Sequence, residues 1–314
     1  MSRGLAVYIV QRLLLVALTA LIVSSVVFIG VHQLPGTALI SERDTNPATE
    51  QILMRHYHLD LPWPQQYWLW ITGLVHGDLG ESLVNRGVQI TPLLLREASV
   101  SVTLGVAAVI ITVLVGMSLG ILAAIRQNTW VDYLASTTAV IGYSVPSFVW
   151  AFLLILLTVS GFYTWTGGFI YEDIGWGKPE QIPVPALALG LPYAAIVARL
   201  TRASMLEVIR QEYVRTAWAK GLASRAVILR HALRNALIPV ISILGPLITG
   251  IIVGSVVIEY LFGIPGLGQE FVSSILSRDY NIVVGVFTFY AALVGVANLM
   301  VDLTYPLLDP RIRY

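Results

Sequence analysis

Apolar positions in this chain gather into six long runs, at 8–31, 99–125, 133–162, 184–200 with an extension to 205, 237–258 and 282–303. Each is nearly free of charge and matches the ~20 residues that a helix needs to cross the hydrocarbon core of a bilayer. The pattern predicts an all-α membrane protein with six transmembrane helices. Pro146, Pro185, Pro192, Pro239 and Pro246 fall where they would start or kink those helices, because proline lacks the amide hydrogen that a helix interior uses. The first run has Arg3 before it and Arg12 near its start. It is too long for the apolar part of a signal peptide and lacks a small-residue cleavage site, so it reads as a retained helix.

Between the first two runs, the segment 32–98 is too long for a tight hairpin and too apolar for a linker. Asn46-Pro47 marks a helix start, with proline at the first helical position and Glu50 close behind. Trp63, Trp68 and Trp70 then suggest a helix lying at the headgroup level. His56 and His58 are the only closely spaced histidine pair. Alternate residues of a helix point apart and no second ligand pair is adjacent, so no metal site is expected.

Charge orients the chain. If the six helices alternate, Arg3, Arg12, Arg126, Arg202, Arg210, Arg215, Lys220, Arg225, Arg230, Arg234, Arg311 and Arg313 share one side. Loops rich in Lys and Arg stay cytoplasmic, so both termini and the loop after the fourth helix are expected inside. A net charge of +1 gives no reason to expect nucleic acid, and the absence of cysteine removes disulfides and thiolate chemistry. With 56% hydrophobic and 12% charged residues, the composition lies outside the soluble range.

Several chemistries find no support. A phosphate-binding G-x-x-x-x-G-K-[ST] is missing, and its nearest echo, GWGKP at 175–179, has proline after the lysine. No nucleophile elbow, zincin motif or carboxylate pair placed for catalysis is seen. Ser144, two residues before Pro146, is expected to satisfy backbone that the proline frees, as a hinge or gate. Ion-coupled transport usually places acids at mid-bilayer. Here the central thirds of the runs carry no charge, and Glu259 and Asp302 sit near run ends.

The densest basic stretch, EYVRTAWAKGLASRAVILRHALRNALIPV at 212–240, holds a short helix with Glu212 in its first turn, Lys220 in its last and Gly221 to end it. Helical spacing puts Tyr213, Thr216, Ala217 and Lys220 on one face, shaped for a groove on another protein. Ser224 is expected to cap a second helix with Arg225, Arg230 and Arg234 on its wet side and Ile228, Leu229, Ala232 and Leu233 toward lipid or bundle.

EYVRTAWAKGL followed by RHALRNALIPV resembles the cytoplasmic loop of ATP-binding cassette (ABC) importer permeases. So do HGDLGESL at 76–83, RLTRASMLEV at 199–208, VIEYLFGIPGLGQEFVSSILSRDY at 257–280 and NLMVDLTYPLLDPRIRY at 298–314, all similar to the peptide and nickel branch. The general family pattern has Glu-Ala-Ala six residues before the glycine, where this chain has Arg215-Thr216-Ala217. The interval from Gly221 to Ile238-Pro239 is also longer, as in the peptide branch.

The resemblance implies a type I importer permease fold, a five-helix core plus an N-terminal peripheral helix. It divides the chain into a first transmembrane helix (1–31), an extracytoplasmic loop with interfacial helices (32–98), a core (99–305) with a coupling loop (206–236) and an outer re-entrant loop (260–280), and a cytoplasmic tail (306–314). It implies a second homologous permease, two ABC ATPase subunits, an extracytoplasmic binding protein and surrounding membrane lipid as partners. ATP and magnesium belong to the ATPases, leaving no catalytic residue, cofactor or metal in this chain. The setting is the plasma membrane of a bacterium or archaeon, and the cargo a dipeptide or oligopeptide, with a nickel chelate as the alternative. Glu212, Tyr213, Arg215, Thr216, Ala217, Lys220 and Gly221 become the ATPase-coupling helix. Ser144, Pro146, Gly250 and Gly254 become candidates for the path or gate, and Phe262, Gly263, Ile264, Pro265 and Gly266 an outer loop facing the binding protein. Gly116, Gly120, Gly250 and Gly254 recur at a spacing that permits close helix packing.

Overall fold

The computed structural model describes residues 3–33, 47–158, 164 and 174–308. Its main helices are α1 (Arg3–His32), α2 (Pro47–His56), α3 (Trp63–Val75), α4 (Ile90–Ile125), α5 (Trp130–Ser144), α6 (Ser147–Ile155), α7 (Pro183–Ile209), α8 (Glu212–Ala219), α9 (Leu233–Ser242), α10 (Leu244–Phe262), α11 (Leu267–Leu276) and α12 (Tyr280–Leu308). Among the described residues five helices are long and apolar enough to span a membrane, and α5 with α6, a pair bent by 104°, brings the number to six when counted as one broken span. α1 is the least enclosed: 17% of its most apolar window is buried, against 33% to 56% in the other four. That fits a peripheral helix.

Two compact units emerge, each with its own core. The first comprises residues 1–101 and 264–296. Here α2 begins at Pro47 as the sequence predicts, and α3 carries proline in its first turn. Asn46 lies outside the described residues. Phe28 and Val31 of α1 pack with Val283 and Val284 of α12, and Tyr67 and Trp70 of α3 close over them. Gly295 lets α12 approach α1, since a Cβ there would fall 2.6 Å from Val16 Cγ1. A second cluster joins Leu79, Ile90, Leu94, Leu267, Ile282 and Val286.

The other unit comprises residues 102–263 with the chain from Ala297 onward. α7 is its axis. A row of small residues lets α4 pack on α7 backbone to backbone, as the glycine spacing predicts. Built Cβ atoms would lie 2.6 Å from Ala194 O at Gly116 and 2.5 Å from Ala198 O at Gly120. Higher up, Thr112 Oγ1 donates to Gly190 O at 3.1 Å. Gly250 and Gly254 lay α10 against Tyr193 and Leu189 of α7.

Two expected spans are not straight. The third run breaks at Pro146 into α5 and α6, which meet at 104°; its last residues, 159–162, are outside the described residues. Proline cannot donate to Gly142 O, and Trp150 Nε1 takes that place at 3.3 Å. Ser144, expected to satisfy the freed backbone, donates to Val140 O at 2.8 Å and leaves Gly142 to the indole. The fifth run starts earlier, at Leu233, and breaks at Ile243 between α9 and α10.

Candidate functional site

The basic loop begins where α7 stops. After Ile209 the chain turns through Gln211, whose extended backbone starts α8. α8 ends in a two-bond glycine turn: Gly221 N donates to Trp218 O at 2.9 Å and Leu222 N to Ala217 O at 3.4 Å. Gly221 has φ +77°, a left-handed conformation that residues with a Cβ adopt at a cost.

Two side chains key α8 into the loop. Val214 and Ala217 are buried against Val227, with Val208 of α7 beside them. Ala217 therefore leaves the outward face on which its spacing placed it, because the same spacing also pairs it with Val214 one turn earlier. Tyr213 remains exposed, but its hydroxyl accepts from Asn235 Nδ2 at 2.7 Å. What α8 offers outward is Arg215, Thr216, Trp218, Ala219 and Lys220, with Glu212 at its start and Gly221 and Leu222 after it. Trp218 is the residue that sequence reasoning missed. A signal was available: with Val214 and Ala217 as the inward pair, Trp218 is left beside the wet face.

The support differs from a single amphipathic helix. Ala223, not Ser224, occupies the cap position, and three α-helical residues pass into a π-helical turn, Val227–Ala232, before α9. That wider turn sets Val227 and Ala232 inward and turns Leu229 out. Arg225, Arg230 and Arg234 are exposed as expected. Ala232 and Ala236 pack with Met205 of α7 and Ala124 of α4, so the loop is fixed to two spanning helices.

A buried ion pair stands one turn above. Arg202 of α7 donates from Nε to Asp132 Oδ1 at 2.6 Å and from Nη2 to Oδ2 at 2.7 Å. Asp132 also accepts from Asn128 N at 3.0 Å, and its side chain is 3% exposed. The bidentate geometry fixes the start of α5 to the α7 segment that leads into the loop.

In the first unit, two motifs meet at Asp279. Its carboxylate accepts from Ser82 Oγ at 2.5 Å, from Leu83 N and Val84 N at 3.2 Å each, and from Ile282 N at 3.3 Å, which also caps α12. HGDLGESL is thereby fastened to the end of the 257–280 motif. Ile264 is fully buried, Pro265 exposed, and Leu267 N donates to Ser101 Oγ at 2.9 Å. Phe262, in the other unit, is buried, and Gly263 ends α10 in a left-handed conformation. Ser144 and Pro146 are exposed, while Gly250 and Gly254 are half-buried. His56 Nε2 lies 3.4 Å from Glu81 Oε2. Among the described residues no group of three or more metal-ligating side chains assembles.

Broken and unbroken apolar spans, the small-residue packing face of α7 in the second unit and a keyed helix in a basic loop are the features of a type I importer permease fold. Solved structures show the same fold. A crystal structure of an amino acid ABC transporter with histidines matches with a TM-score of 0.51 at 18% identity, covering 71% of this chain and 95% of that one. The inward-facing MetNI methionine ABC transporter matches with a TM-score of 0.55 at 19% identity, covering 70% and 97%. Residues 116–314 match the family described as binding-protein-dependent transport system inner membrane component, and the chain belongs to that family. Its relatives include the dipeptide transport system permease protein DppB of Bacillus subtilis, 40% identical over 98% of both chains. The oligopeptide transport system permease protein OppB of Escherichia coli K12 is 39% identical over 98% of this chain and 99% of its own length.

Proposed function

We propose that this chain forms half of a peptide-conducting pore, with the basic loop as its mechanical link to ATP hydrolysis. The observation that carries the link is α8 itself: a helix exposed on one face, keyed by Val214 and Ala217 on the other, and ended by a left-handed glycine. Such an element transmits a push because it cannot rotate on its support. Arg215, Thr216, Trp218 and Lys220 supply the docking face, with Glu212 and Tyr213 at its edge. The Lys and Arg distribution supports a cytoplasmic position for this loop and both termini. The partners are a second permease of the same family, two ABC ATPases that bind ATP and magnesium, and an extracytoplasmic binding protein facing the 262–266 segment. Peptide cargo is supported by relatives at 34% to 40% identity named as dipeptide and oligopeptide permeases. The breaks at Pro146 and Ile243 and the Gly250 and Gly254 contacts are the places where the path can change shape.

The test is uptake and ATPase activity of the reconstituted complex, measured together. Thr216→Trp adds bulk to the docking face without touching the buried key. It should leave the chain inserted and paired, yet abolish peptide uptake relative to ATP hydrolysis. Wild-type coupling in this variant would show that α8 is not the link. Failure of wild-type complex to take up any di- or oligopeptide would overturn the cargo.

A further inference from the structure

The 199–208 motif opens with two arginines that the structure treats differently. Arg202 is neutralised by Asp132. Arg199, one turn earlier on α7, has no carboxylate partner among the described residues; its guanidinium lies 5.4 Å from the centroid of the Tyr143 ring, and it is exposed. Beside it opens a cavity of about 250 Å³ between α4, α5 and α7, walled by small side chains such as Gly120, Ala135, Ala139 and Ala198. An arginine in a spanning helix is costly unless something meets its charge. Arg199 lies ten residues before Ile209, about 15 Å along the helix from its end, within reach of the lipid headgroups.

We propose that this cavity binds an anionic phospholipid of the inner leaflet. Its phosphate pairs with the Arg199 guanidinium, whose planar fork takes two phosphate oxygens, while the Tyr143 ring holds the fork in place. The glycerol ester region fills the alanine-lined space behind. Basic pockets between helices on the cytoplasmic side have the right charge and depth for such headgroups. Peptide cargo fits less well. A zwitterionic peptide brings an ammonium group, yet the cavity lining holds no carboxylate, and Asp132, the partner of the lining residue Arg202, is already occupied by Arg202, Asn128 N and Ser136. This inference rests on the cytoplasmic placement of the basic loop, which thiol labelling of Ser224→Cys reads separately.

The experiment purifies the full transport complex from mixed phosphatidylglycerol and phosphatidylcholine nanodiscs and counts retained lipid by native mass spectrometry. Wild type should retain phosphatidylglycerol over phosphatidylcholine. Arg199→Gln should lower that retention at least about fivefold, the factor for one cation–lipid pair. Ala203→Leu keeps the charge but fills the cavity mouth and should lower it as well, which protects the test if the first variant folds poorly. Arg210→Gln, an exposed cation just after the same helix, should retain the wild-type amount. Unchanged retention in Arg199→Gln and Ala203→Leu, or equal loss in Arg210→Gln, would overturn the site. So would unchanged retention with lost uptake of free-carboxylate peptides but not amidated ones, which would assign the cavity to cargo.

Discussion

Deleting Asp132 or Arg202 removes the same ion pair, yet the two deletions should cost different amounts. Asp132→Ala strands Arg202, whose side chain is 31% exposed and can turn toward water or headgroups. Arg202→Ala strands a carboxylate that is 3% exposed and keeps only Asn128 N at 3.0 Å and Ser136 Oγ at 3.4 Å. Breaking a buried pair from one side costs about 3–5 kcal/mol, and the burial difference puts Asp132→Ala near ~3 and Arg202→Ala near ~5. Replacing both, as Asp132→Leu with Arg202→Met, leaves no orphaned charge. The double variant should cost less than either single one, far below the ~8 kcal/mol that the two single losses would give if they simply added.

The assay is the thermal midpoint of the monodisperse, detergent-purified chain, compared across wild type, the two single variants and the double variant. Arg202→Ala should melt lowest, Asp132→Ala next, and the double variant closest to wild type. The consequence reaches beyond stability, because the pair holds α5 against the α7 segment that continues into the basic loop. Both single variants should also lose coupled uptake, and the double variant should recover protein yield more fully than transport. Equal, additive losses below about 1 kcal/mol would show a solvent-screened pair with no structural role.

Three further outcomes follow from other contacts. Burial of Glu270, reinforced by the charge of Asp279, raises its carboxyl above the ordinary carboxylate range, so the native state holds a proton that the unfolded chain has released. Its contribution to stability is full below the ordinary carboxylate value and is lost as pH rises through the raised native one; Glu270→Gln should flatten thermal stability as pH rises above the ordinary carboxylate range and exceed wild type once the native carboxyl has ionised, and parallel profiles would refute this. Asp279→Ala leaves three backbone donors and the Ser82 hydroxyl without their acceptor and removes the cap of α12; a loss of about 2–4 kcal/mol is expected, with Asp279→Asn recovering part of it in the same melt. Trp150→Phe removes the indole donor to Gly142 O at the bend and should cost about 1 kcal/mol with little change in insertion, whereas Ser144→Ala should be nearly silent.

What could be read along the chain was whatever the bilayer imposes locally. Runs of apolar residues, proline at a helix start and glycine at a left-handed turn each act within a few residues, so the spans, the start of α2 and the end of α8 were legible. Pro146 signalled a break but not its size, since the 104° bend is held by Trp150 reaching back across it to Gly142. The outward face of α8 was legible only in part for a similar reason. Spacing joins Ala217 to both Tyr213 and Val214, and the choice between faces is made by Val227 and Val208, which close on one of them. Asp132 escaped notice altogether: it lies just outside an apolar run, and its partner is 70 residues away.

The charges that the sequence displayed and those it concealed have different fates. Arg225, Arg230 and Arg234 remain in water, where each adds to a one-sided total that a count along the chain detects. Asp132 and Asp279 are buried, and each is tied to segments far along the chain, where its value comes from geometry and a count of charges says nothing. A permease of this kind needs both. Exposed cations set which side of the membrane a loop occupies and tolerate substitution, whereas the buried carboxylates hold the start of α5 to α7 and the 76–83 motif to the start of α12. Arg199 belongs to neither group. It is exposed like the first and lies along a spanning helix like Asp132, and among the described residues no carboxylate meets its charge, which separates it from the arginines around it as the residue that the proposed lipid phosphate would pair with.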